Sequence, residues 1–460
     1  MIKKNLNEND HAPAKEHGFF EEVNYHRMKR NYLLLNLFCL SMLCIGCSEE
    51  ENNIPEQEEP ETPEEVITDY TYSVSKLTIE TQYKAPILGK EKEHYVNFTL
   101  TVDSDNDEWD YEGTGRIRGR GNSTWLWYDK KPYRIKLDKK ASILGLAEEK
   151  DWVLLANYRD PTNLMNTFVF TAGEKLGMPF TNHTRFVEVT LNGDYIGLYQ
   201  LTEQVEQGET RVNVADEGGI LLSLDKDDGP ELAPNEGDNF WSEVYSMPIC
   251  VKHPEDQTSA QLNAIKEEFA QLEQAIKSHN YKTTAQLMDM QSFIDYMILQ
   301  ELVYNVEVDA PRSIYMHKDK GGKWYMGPLW DFDAGFDFDW STMYTGHNYF
   351  TTYKELVLGT DPARRIGGYQ VPKFFVDLFN NKQFVSEYKA RWKEVRELIM
   401  TDFWETTARY AEGASEAMKR DAKRWPIDKK YATEIGRMKD WLNNRCNYLD
   451  IVIANYPAGK

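Results

Sequence analysis

From residue 70 the pattern along the chain turns to alternation of apolar and polar positions, as over 95–102. Val96, Phe98, Leu100 and Val102 are separated by Asn97, Thr99 and Thr101, which is the period of a half-buried strand. Further strands are predicted over 116–120 and 133–137. The clearest hairpin has strand-like runs at 185–191 and 194–202 on either side of Asn192-Gly193, a pair suited to the positive φ of a two-residue turn. Beyond His253 the period changes. Leu262, Ile265, Phe269, Leu272 and Ile276 recur at helical spacing, and Asp289 is placed to cap a second helix running through Phe293 and Met297 toward Tyr304. A third helix fits 384–400, with Tyr388, Val395 and Ile399 on one face. A β-rich half followed by a helix-rich half predicts an α+β fold of two lobes with a ligand cleft between them.

These shifts divide the chain into an N-terminal extension and export signal over 1–47, an acidic tether over 48–68, an N-terminal β segment over 69–110, a β-rich lobe over 111–252 and a helical lobe over 253–460. Met28-Lys29-Arg30 precedes an apolar run over 31–46 (NYLLLNLFCLSMLCIG), shorter than the roughly 20 residues of a permanent span but suited to an export signal. The run ends in Leu43-Cys44-Ile45-Gly46-Cys47, which resembles a lipobox whose cysteine receives a lipid. Residues 1–27 are polar and unlike a signal, so Met28 is the expected start. The Pro/Glu-rich stretch after Cys47 has too little apolar surface to fold. Its opening run, Ser48-Glu49-Glu50-Glu51, resembles the surface-export signal of Bacteroidetes-type lipoproteins. The expected location is the cell envelope, lipid-anchored to the membrane through Cys47, with the folded part at the outer membrane surface or the periplasmic face.

Composition narrows the partners. With 75 acidic against 53 basic side chains the net charge is −22, a field that repels phosphate backbones and argues against nucleic acid. At 460 residues the chain needs no staples to fold. Of its five cysteines, Cys250 and Cys446 alone lie beyond the export segment, which leaves one disulfide open and provides no zinc spacing.

Three clusters carry candidate chemistry. The first is a glycine-rich stretch over 113–125 in which Arg116, Arg118 and Arg120 stand among glycines. Such glycines let backbone N–H groups approach an anion. The second is Lys131-Pro132-Tyr133-Arg134-Ile135-Lys136-Leu137, where strand period places Arg134 and Lys136 on one face; Glu203, at the end of the Asn-Gly hairpin, is a candidate partner for such a lysine. The third follows the helix ending near Tyr304: Glu307 and Asp309, a hairpin around Asp319-Lys320-Gly321-Gly322, then Gly327-Pro328-Leu329-Trp330-Asp331-Phe332-Asp333. A hairpin between two acidic segments folds a base and a metal ligand beside each other, and carboxylate oxygens suit Mg²⁺ or Mn²⁺. A calcium-loop reading of 331–342 fails, because Gly335 comes one place early and Thr342 stands where a bidentate Glu belongs.

Taken in order, these motifs resemble the CotH kinase-like family, the atypical kinases named for a spore-coat protein. The matching stretches are 118–125 (RGRGNSTW), 131–137 (KPYRIKL), 151–158 (DWVLLANY), 197–203 (GLYQLTE) and 327–333 (GPLWDFD). The resemblance implies an atypical protein-kinase-like two-lobed fold that uses ATP with Mg²⁺ or Mn²⁺. It further implies phosphate contacts from Arg118, Arg120, Gly121, Asn122 and Ser123 and from Lys131 or Lys136, with metal ligation by Asp331 and Asp333. The sequence departs from the family where Glu307 stands two residues after Asn305 in place of the usual Asp, with Asp309 as the competing catalytic carboxylate. It departs again at Asn163-Leu164-Met165-Asn166, where an Arg is usual. The function implied is transfer of the γ-phosphoryl of ATP to a hydroxyl of an acceptor protein or other acceptor. The rival reading is a noncatalytic kinase-like surface protein that binds a glycan or a protein. A glycosidase, needing two carboxyls at a set separation, would leave the basic glycine-rich turn without a role.

Overall fold

The computed structural model describes residues 69–227, 238–308, 311–339, 348–358, 371–425 and 430–457. Cys47, the export signal, the tether over 48–68 and Asp309 lie outside the described residues. Strands β1 (Ser75–Thr81), β2 (Val96–Asp103) and β3 (Tyr111–Gly119) are followed by the short helix α1 (Ser123–Trp127), then β4 (Tyr133–Ala141), β5 (Glu149–Leu155), helix α2 (Met165–Leu176), β6 (Arg185–Leu191) and β7 (Asp194–Glu203). The seven strands close into a barrel in the order β1-β2-β3-β4-β5-β7-β6. Alternation decides which side chains fill it. Phe98, Leu100 and Val102 of β2 are buried with Leu77, Ile79, Ile117, Ile135, Trp152 and Val187. Closure comes from a parallel pairing of β1 with β6, Leu77 beside Val189, and a closed sheet exposes no edge.

Three strands leave the barrel. Strands β8 (Ile220–Leu224), β9 (Asn239–Trp241) and β10 (Pro248–His253) precede α3 (Ser259–Lys277), α4 (Tyr281–Leu287) and α5 (Met290–Leu302). They join β11 (Ile314–Lys318) and β12 (Trp324–Met326) in a second sheet ordered β12-β11-β8-β10-β9. Helices α6 (Val371–Val376), α7 (Lys382–Leu398), α8 (Trp404–Gly413), α9 (Ser415–Arg424) and α10 (Tyr431–Ala454) complete the chain. The α+β class expected from the sequence is the class observed. Its strands divide otherwise than the sequence boundaries: β1 and β2, from the segment 69–110, share the barrel with strands of the 111–252 stretch, whereas β8, β9 and β10 belong to the second sheet, where β8 pairs with β11 beyond 253. Pairing partners so distant in sequence leave no local pattern to read.

The cap expected at Asp289 is present, its side chain accepting from Ser292 N to open α5. A Thr258–Gln261 capping box, not read from the sequence, opens α3. Helix α2 is buried almost throughout. It joins the outer barrel residues Val153, Phe186 and Leu198 to the large core that continues through α5. There Gly173 admits Leu329, whose Cδ1 would lie 2.5 Å from an added Cβ. The disulfide left open by the sequence is not formed: Cys250, on β10, and Cys446, on α10, are both buried and not joined to each other.

Candidate functional site

A cleft of about 900 Å³ is lined by the barrel's glycine-rich turn and by the segments that leave the second sheet. On the barrel side β3 ends at Gly119 and the chain turns through Arg120, Gly121, Asn122 and Ser123 into α1. Gly121 has φ +79°, and an added Cβ would meet Thr124 Oγ1 at 2.3 Å, so glycine is required. Arg120 reaches toward Asp331 with its guanidinium 5.3 Å from the centre of the Trp330 ring. Trp330 is stacked in turn on Phe170 of α2.

The acidic wall is built after α5 and β12. Asn305 Oδ1 accepts from Glu307 N at 3.3 Å, which turns the chain so that Glu307 lines the cleft. Asp331 takes a left-handed φ of 65°, a strained conformation of the kind that collects at functional sites. Its neighbour Phe332 is pinned through N to Asn166 Oδ1 of α2 at 2.8 Å. Desolvation and Asp331 push the buried Glu307 carboxyl well above its ordinary range, and among the described residues Glu307 Oε2 has no hydrogen-bond partner. Loss of water and the adjacent Asp333 push Asp331 up to about 7. Asp333 is matched by an ion pair with the buried Arg159. Burial alone would lower the Arg159 pKa, but Asp333, Tyr349 and Glu307 together hold it well above its usual value.

The residues singled out from the sequence separate into two groups. Arg118, Arg120, Gly121, Asn122, Ser123, Glu307, Asp331 and Asp333 all line the cleft. Lys131, Lys136 and Glu203 are not among its lining residues. Lys131 Nζ donates to Trp125 O at 2.6 Å. Lys136 and Arg134 do share a face, where both bind Asp151: Lys136 Nζ at 2.8 Å and Arg134 Nη2 at 2.7 Å. Of that pair only Arg134 reaches the cleft. Glu203 is buried and bonded to His183 Nδ1 at 2.6 Å and to His183 N at 2.8 Å, so the lysine partner expected for it is replaced by histidine.

Several lining residues escaped the sequence reading: Arg159, Glu206, Asp225 and Arg312. Arg159 directly follows the 151–158 motif, and that adjacency was its signal. Desolvation and Asp151 push Glu206 up to about 7. Arg312 pairs with Asp227 at 2.7 Å, and Asp225 Oδ2 accepts from Ser313 N at 3.1 Å. Neither has a local pattern, because β8 and β11 meet only in the folded sheet.

Among the described residues no group of three or more His, Cys, Asp or Glu side chains is arranged to hold a metal, and no helix is long and apolar enough to cross a membrane. The family model described as CotH kinase protein matches residues 117–449, which makes the protein kinase-like at the level of its family. The chain belongs to the CotH kinase family. Among curated proteins nothing matches it.

Proposed function

We propose that the protein is an exported CotH-type kinase that transfers the γ-phosphoryl of ATP to a hydroxyl of a protein or other acceptor, with Mg²⁺ or Mn²⁺. In this reading the barrel serves as the β-rich lobe and the helical part as the second lobe of a kinase-like arrangement. A lipid on Cys47 holds the folded part at the cell envelope. The observation that carries the reading is the opposition, across one cleft, of Arg120 and the glycine-rich turn to Glu307 and Asp331. Mg²⁺ commonly takes one or two carboxylates and completes its shell with phosphate oxygens and water, so a three-residue cluster is not required. The donors fit such a cation: Glu307 Oε2 is orphaned, and Asp331 carries a charge that its surroundings disfavour. Asp331 is the primary ligand, while Asp333 is engaged by Arg159.

When bound, the metal would supply charge neutralisation for the β- and γ-phosphates. The chain's own groups do the rest. Arg120 and the backbone of the glycine-rich turn bind and orient phosphate oxygens. Trp330, wedged between Phe170 and Arg120, fixes that guanidinium. Glu307 in its ionised form accepts the proton of the acceptor hydroxyl, and the desolvation that raises its pKa makes that carboxylate a stronger base than an exposed one.

Incubation of the full chain with γ-labelled ATP and either metal is expected to show metal-dependent transfer, reduced about 100-fold or more by Asp331→Asn. Full transfer by that variant would remove the assignment. An unmodified Cys47 in mature protein taken from membranes would remove the anchor. The noncatalytic reading, binding of a glycan or protein, is favoured by two observations: Glu replaces the family's Asp at 307, and Arg159 occupies Asp333. Nucleotide binding with no transfer under either metal would support it.

A further inference from the structure

We propose that Lys90, which precedes the region matched by the family, is a phosphate-binding residue of the cleft, and that the segment 85–95 thereby completes the site. This rests on the phosphoryl-transfer reading and adds a ligand to it. The segment is built onto the end of β3. Gly119 N donates to Gly89 O at 2.8 Å, extending the pairing beyond the β2–β3 register, which ends with Val96 opposite Ile117. Gly89 is needed there, because an added Cβ would lie 2.5 Å from His94 Nδ1.

Arg118 secures the same loop. Its Nη1 donates to Lys90 O and, at 3.0 Å, to Gly119 O, while the guanidinium lies 5.1 Å from the centre of the Tyr95 ring. Of the donors that the sequence offered to phosphate, Arg118 is thus used to place Lys90. Lys90 is half-buried and lines the cleft. Its Nζ donates to Asn122 Oδ1, inside the glycine-rich turn. That acceptor is neutral, and among the described residues no carboxylate forms an ion pair with Lys90 Nζ. Arg134 and Arg159, by contrast, are engaged by Asp151 and Asp333. An ammonium held at the turn by a neutral amide keeps its charge available to an anion, and phosphate oxygens are the chemistry that the turn's backbone suits.

The experiment titrates ATP and, separately, tripolyphosphate into the full chain and into Lys90→Met, Lys90→Gln, Lys90→Arg and Lys92→Met. Lys92 is exposed and does not line the cleft. Loss of a charge-assisted contact is expected to weaken both ligands roughly tenfold in Lys90→Met. Lys90→Gln keeps a donor for Asn122 but no charge, and is expected to bind as weakly as Lys90→Met. Lys90→Arg and Lys92→Met are expected to stay close to the parent. Parent-like binding by Lys90→Met overturns the proposal and leaves phosphoryl transfer standing. Parent-like binding by Lys90→Gln alone also overturns it, because Lys90 would then act only by holding the turn. A parent chain that binds neither ligand overturns both proposals together.

Discussion

Glu307 shows how one side chain can serve a site at the expense of the fold. Its carboxyl is buried with one oxygen unpartnered, and its pKa is raised by desolvation and Asp331. Above the ordinary carboxylate range the unfolded chain releases this proton while the folded chain retains it, so this group's contribution to stability falls as pH rises. Glu307→Gln is therefore expected to raise the stability of the nucleotide-free protein by about 1–3 kcal/mol at pH 7 while abolishing transfer. The gain should vanish near about pH 4, where the unfolded glutamate is protonated as well. Urea titrations at the two pH values check it, and equal gains at both would locate the effect in packing rather than charge. Residues of this kind are half legible in sequence. The motif marks Glu307, but the orphaned oxygen and the Arg159–Asp333 pair depend on side chains brought together only by the fold.

Single elements were the most legible scale. The hairpin read from Asn192-Gly193 forms as β6 and β7, and helices stand where apolar spacing placed them, in α3, α5 and α7. The closure of the barrel was not legible, because parallel pairing of β1 with β6 joins strands separated by most of the barrel's sequence. Asn192 links the legible to the illegible. It adopts the turn's positive φ of 55°, and its Oδ1 also accepts from Thr81 N at 2.8 Å while its N donates to Ile79 O at 2.9 Å. The turn residue is thus a latch on β1. Asn192→Gly preserves the turn and deletes the side-chain bond, and is expected to cost about 1–2 kcal/mol. Asn192→Ala adds the strain of a left-handed alanine and should cost about 1 kcal/mol more. Equal midpoints for parent and Asn192→Gly in urea would show that Thr81 gains nothing from the contact.

At the scale of the molecule, the barrel is held to the helical part by polar contacts of α9 and the start of α10 as well as by the core shared through α2, and neither α9 nor α10 carried a readable motif. Asp421 is the centre of the clamp. It accepts from Lys130 Nζ at 2.8 Å, from Leu198 N at 2.9 Å and from Tyr431 OH at 2.8 Å. Gly197 makes room, since an added Cβ would stand 2.3 Å from Asp421 Oδ1. Around this centre Arg420 pairs with Glu188 at 2.7 Å, and Trp425 Nε1 donates to Ile196 O at 2.9 Å. Lys130 and Asp421 are both almost fully buried, and burial lowers the Lys130 pKa against the pull of Asp421. Removing one partner therefore strands a charge, whereas removing both does not. Asp421→Ala is expected to destabilise by about 3–5 kcal/mol, and the Asp421→Leu, Lys130→Met double variant should recover most of that loss. Because Lys130 leads directly into Lys131-Pro132 and the start of β4, the same break frees the return of the glycine-rich turn from the helices. Unfolding followed by tryptophan fluorescence and by far-ultraviolet dichroism should give coincident transitions in the parent and separated ones in Asp421→Ala. Coincident transitions in the variant would mean that the remaining contacts, those of Arg420 and Trp425 and the apolar core shared through α2, suffice to keep the barrel and the helices one cooperative unit.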